Sequence, residues 1–155
     1  MGTAVVYLLR FSLVLLALGA VAGQGLIVVG LTTQLHPEAP RTLLFVYGVG
    51  VIVAVASVEV ALVAVWVLLS MVRQDVIFDP RAFRWVSVIT AAGPLAALPV
   101  AGICMHFGEI DDAPGLILIG FGIALAGAAF TLLMLVMRGL LHKATMLRSE
   151  LAEVV

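Results

Sequence analysis

The chain has 155 residues, of which 64% are hydrophobic and 11% charged, with a net charge of −1. That composition excludes a soluble domain, and the small net charge gives no reason to expect a nucleic-acid partner. Four apolar runs dominate, and a helix needs ~20 apolar residues to cross ~30 Å of hydrocarbon. The expected fold class is therefore all-α: a polytopic membrane protein with four transmembrane helices, arranged as two hairpins in a four-helix bundle.

The first run extends from Phe11 to Leu31. A signal peptide is the competing reading, because Ala20-Val-Ala22 resembles a small-residue cleavage site. The run is longer than a usual signal core, and Arg10 stands alone where a basic cluster is the rule, so a retained span is expected. The second run, Leu43 to Met71, has 29 residues, about 44 Å as a helix, which requires tilt or emergence near Trp66 to Met71. The connection that follows contains Asp79-Pro80, an N-cap residue before a proline suited to a first helical turn, and predicts a helix running straight into the third span.

In the third run, Val86 to Phe107, Pro94 and Pro99 each remove a helix hydrogen bond, which frees the carbonyls of Thr90 and Leu95 and predicts a kink. Its Cys104 is the single cysteine and can form no intramolecular disulfide. Asp111 and Asp112 are expected as N-caps where Pro114 opens the fourth run, Gly115 to Met137. Beyond it, residues 138–155 read as an amphipathic extension with Leu140, Ala144, Leu147, Leu151 and Val154 at spacings of four and three. The central loop or lipid headgroups could cover that stripe; so could a second copy or a cytoplasmic partner. Close helix approach is expected at Gly19-x-x-x-Gly23, Gly50-x-x-x-Ala54 and Gly122-x-x-x-Ala126. With only short connections between spans, residues 1–155 form one membrane domain.

Cations set the expected orientation, since Lys and Arg near span ends stay on the cytoplasmic side. Arg10, Arg73, Arg81, Arg84, Arg138, Lys143 and Arg148 fall on one side and Arg41 alone on the other, so both termini are expected in the cytoplasm. All the cations but Lys143 are Arg, a bias in keeping with a GC-rich bacterial genome.

Glu59 is the polar residue most open to function, because an ionised carboxylate near a helix centre costs ~2.5–3.5 kcal/mol. It is expected to be protonated, paired or hydrated. Counting from the span ends places Glu59, Thr90 and Thr131 at similar depth, within reach of Arg10 or Arg138, and Gln24 level with Pro99, where it could donate to the Leu95 carbonyl. These groups read either as hydrogen-bonded links between helices or, for Glu59, as a proton or cation site. His36, Glu38, His106, Glu109, Asp111 and Asp112 share the outer side, but His106-x-x-Glu109 matches no metal motif, so no metal or other cofactor is expected.

Leu69-Ser-Met-Val-Arg-Gln-Asp-Val-Ile-Phe-Asp-Pro-Arg81, the Asp111-Asp-Ala-Pro-Gly115 entry to span four and the Leu147-Arg-Ser-Glu-Leu151 tail resemble the bacterial membrane family known as domain of unknown function 2975. The resemblance covers essentially the whole chain. It implies four helices, an inner-membrane location and genes often placed beside a small helix-turn-helix regulator, and it carries over no catalytic residue.

Comparing the chain with itself at an offset of 74 residues sets Arg10 on Arg84, Gly19 on Gly93, Glu38-Ala-Pro40 on Asp112-Ala-Pro114 and Tyr47-Gly48 on Phe121-Gly122. A duplicated hairpin with parallel repeats is the corresponding expectation. For function, the leading expectation is a non-catalytic membrane module that senses or relays to a cytoplasmic regulatory protein, or to a second copy, through the central loop and tail, without touching nucleic acid. A small transporter or proton-linked channel using Glu59 is the alternative. An enzyme is least expected, since no Ser/His/Asp set, His pair or phosphate-binding glycine loop is present.

Overall fold

Backbone N–H and C=O groups in hydrocarbon have no water to bond, so a chain this apolar must satisfy them internally. The computed structural model describes residues 3–33, 40–73 and 80–153 and satisfies them with four helices: α1 (Thr3–Thr33), α2 (Arg41–Arg73), α3 (Pro80–Ile110) and α4 (Pro114–Glu153). No strand occurs among the described residues. Each helix is long and apolar enough to cross a membrane, over Tyr7–Thr33, Arg41–Met71, Phe83–Ile110 and Pro114–Ala144. The protein is thus an all-α chain with four membrane-span helices, each longer than its apolar run.

Helix starts follow local chemistry. α3 begins at Pro80, where the missing N–H of proline costs nothing, and runs through Pro94 and Pro99 without a break. α4 continues as one helix of 40 residues, about 60 Å, well beyond what a bilayer core requires.

Between α3 and α4 the turn differs from expectation. Asp112 adopts φ 49°, and the Ala113 N–H donates to the Gly108 carbonyl at 2.9 Å, so Asp112 occupies the left-handed position that closes α3. Aspartate tolerates that conformation better than most residues. Ala113, not either aspartate, directly precedes α4, and its carbonyl accepts from the Leu116 N–H. Gly108 is required here, because a Cβ would lie 2.6 Å from the Ile117 side chain and 2.9 Å from its backbone nitrogen.

The helices pack in series, α1 on α2, α2 on α3 and α3 on α4, and among the described residues no other pair of helices is in contact. The expected four-helix bundle is therefore an open row, with α1 and α4 at its two edges. The contacts do not single out two hairpins either, since α2 packs more extensively on α3 than on α1. Lipid tails are as apolar as leucine, so nothing forces the row to close; close approach of small residues decides which faces meet.

Between α3 and α4 that approach is close at three glycines. A Cβ on Gly127 would lie 2.5 Å from the Ala97 Cβ, one on Gly93 would lie 2.5 Å from the Phe130 ring, and one on Gly120 would lie 2.8 Å from the Ala101 carbonyl. On α2, Gly50 and buried Ala54 face α3, with Ile103 and Pro99 against Gly50. The other two small-residue pairs are corrected: Gly19, Gly23 and Gly122 have nothing within 4 Å of an added Cβ. Positions matched by the 74-residue offset also differ, since Gly93 is packed where Gly19 is open and Gly48 is packed where Gly122 is open.

Candidate functional site

Among the described residues, the buried polar side-chain atoms without a hydrogen-bond partner gather on one seam. Along α1, Arg10, Leu13, Ala17, Ala20, Gln24 and Leu31 recur at helical spacing and are each at least partly covered, with Leu13 buried. Leu31 packs on Gly48 of α2, where an added Cβ would meet its Cδ1 at 2.5 Å, and the Arg10 guanidinium carbon lies 5.0 Å from the centroid of Trp66. These contacts mark the α2 face turned to α1. Glu59 stands eleven residues after Gly48 and seven before Trp66, close to three and two whole turns, and so shares that face.

Glu59 Oε1, Gln24 Nε2 and Arg10 Nε are each buried with no hydrogen-bond partner. Along the axis Glu59 lies about 10 Å from Trp66, so Arg10 stacks on the indole at a distance from the carboxyl. A guanidinium over an indole gains ~0.5–2 kcal/mol from the ring quadrupole, which holds Arg10 at that end of the seam.

The structure separates the polar residues expected to share one depth. Thr90, buried on α3, donates to the Val86 carbonyl at 2.8 Å, and Thr131 on α4 donates to the Gly127 carbonyl at 2.8 Å. Neither hydroxyl turns to Glu59; threonine in an apolar helix finds its nearest acceptor one turn back. Gln24 does not serve the Leu95 carbonyl: its Nε2 has no hydrogen-bond partner, and α1 and α3 are not in contact among the described residues.

At the opposite end, the Tyr47 hydroxyl and His106 Nδ1 are hydrogen-bonded between α2 and α3, with Phe107 stacked 4.9 Å from the tyrosine ring. Neither this pair nor the Arg10–Trp66 contact was foreseen from the sequence. Their legible signal was aromatic rings near span ends, where such rings prefer to sit. Among the described residues, no group of three or more His, Cys, Asp or Glu side chains gathers as a metal site. His36 and Glu38 lie outside the described residues.

The tail stripe is partly visible. Leu140, 58% exposed, and Ala144 lie open on α4, while Phe83 of α3 meets His142 edge-on at 5.9 Å. α4 runs on past that contact to Glu153. The side chains of Leu147 and Leu151, and all of Val154, lie outside the described residues.

Residues 28–155 match the family described as Protein of unknown function (DUF2975). The chain belongs to that family. The matched region in this DUF2975 member takes in α2, α3, α4 and the last residues of α1, and so includes Glu59 and Trp66 but neither Arg10 nor Gln24. No curated protein and no solved structure matches the chain.

Proposed function

We propose that this DUF2975 protein is a non-catalytic module of the bacterial cytoplasmic membrane, with both termini in the cytoplasm, that relays to a cytoplasmic regulatory protein or a second copy of itself. The observation that carries the reading is α4: one unbroken helix of 40 residues, about 60 Å, longer than the hydrocarbon it would cross, with Leu140 and Ala144 uncovered at the end of its apolar stretch Pro114–Ala144. A helix continuous from membrane to cytoplasm transmits a shift or rotation of its span without a hinge to absorb it. Where the helix leaves hydrocarbon, apolar side chains at that end gain by burial against a partner.

The test places a photoreactive residue at Leu140 or Ala144 in the full chain within cells. Adducts with a cytoplasmic protein or a second copy are expected at both positions. Adducts with lipid alone, as expected for outward-facing Leu132 in mid-span, would refute the relay.

A second reading is favoured by Glu59, whose buried unpartnered oxygen is an unusual investment for a purely structural span. In that reading the α1–α2 seam opens to water, and Glu59 carries a proton as a small transporter or channel would require.

A further inference from the structure

Between α2 and α3, on the side of the row away from the polar seam, lies an open apolar groove of about 360 Å³. Val53, Ser57 and Val60 of α2 and Val88, Ala92 and Leu95 of α3 line it, and its one polar side chain, Ser57, is spent on the Val53 carbonyl at 2.7 Å. Nothing in the groove asks for a hydrogen bond. It belongs to the stretches apolar enough to sit in hydrocarbon.

Arg84 lies four residues before Val88, and 84, 88, 92 and 95 share one helical face. The arginine is exposed and lies one turn before the groove on the α3 face that lines it, with half-buried Trp85 next in sequence at a depth indoles favour. From Arg84 the groove extends from about 6 Å, at Val88, to about 16 Å, at Leu95, along the helix axis. This spacing sets a cation at headgroup depth over an apolar channel running toward the bilayer middle.

We propose that the groove holds an acyl chain of an anionic phospholipid whose phosphate rests at Arg84. The channel alone would accept any acyl chain. Arg84 selects for net negative charge, because a zwitterionic lipid carries its own cation beside the phosphate and gains less from the arginine. Ala91, exposed at the groove wall, keeps the channel open, and a larger side chain there would fill it.

The experiment is native mass spectrometry of the full chain in detergent, equilibrated with equal amounts of phosphatidylglycerol and phosphatidylcholine of matched chains. Wild type should retain phosphatidylglycerol about fivefold over phosphatidylcholine, the factor for one surface cation. Arg84→Gln should bring that ratio near one with retention of phosphatidylcholine unchanged. Ala91→Phe should lower retention of both lipids, whereas Leu98→Phe, on α3 outside the groove, should change neither. The proposal is overturned by a wild-type ratio near one, by an Arg84→Gln ratio equal to wild type, or by equal effects of the two Phe variants. Thermal melting of each variant identifies any that lose the fold, and Ala91→Leu then replaces Ala91→Phe.

Discussion

Arg10 and Trp66 meet across the α1–α2 seam, the guanidinium carbon 5.0 Å from the indole centroid, while Glu59, two turns earlier on α2, keeps its Oε1 buried without a hydrogen-bond partner. A buried carboxyl oxygen without a partner in an apolar setting leaves a desolvation cost unrecovered. The consequence is a seam less stable than an apolar one of the same shape.

Glu59 should therefore be replaceable. A residue linking helices by hydrogen bonds is missed when it becomes Leu, whereas an unpartnered buried oxygen costs ~1–3 kcal/mol that Leu removes. Glu59→Leu is expected to raise thermal stability in detergent, with Glu59→Gln closer to wild type. Proton flux in reconstituted vesicles separates the two functional readings: flux in wild type that vanishes in a well-folded Gln variant would favour the transporter.

The glycines of α4 divide into two kinds. Gly127→Ala drives a Cβ to 2.5 Å from the Ala97 Cβ, both on rigid helices, and should destabilise by ~1–3 kcal/mol. Gly122→Ala meets open space and should stabilise by up to ~1 kcal/mol through helix propensity. A pair of melting curves in one detergent checks both, and equal shifts would refute the packing described between α3 and α4.

At the α3–α4 turn, the left-handed Asp112 should accept Gly with little change or a small gain. Asp112→Val should cost ~1–2 kcal/mol, because a β-branched side chain collides with the following carbonyl. Chemical denaturation of the two variants distinguishes this conformational cost from a charge effect, which both would share.

Orientation is checked by single cysteines in a Cys104→Ser background. Membrane-impermeant reagents applied to intact cells should label cysteines at Glu38 and Asp111 and spare one at Arg148. Labelling at Arg148 alone would invert the topology and place the α4 extension outside.

Length and apolarity alone determined the four helices, because hydrocarbon leaves the backbone no alternative. Asp79-Pro80 announced the start of α3, and the stripe through Leu140 and Ala144 announced that α4 continues beyond its span. Which faces meet was decided only by the tertiary structure. In water, an apolar stripe points to the core; in lipid, both faces of a helix are apolar, so periodicity does not say whether Gly122 or Gly127 lies at the contact. The polar residues were hidden for the same reason. Depth placed Glu59, Thr90 and Thr131 at one level, but rotation about each helix axis turned Glu59 toward α1 and left the two threonines bonded to their own helices, and the open row kept Gln24 from α3. One residue of register turns a side chain by about 100° around its helix, and only packing between helices sets that angle.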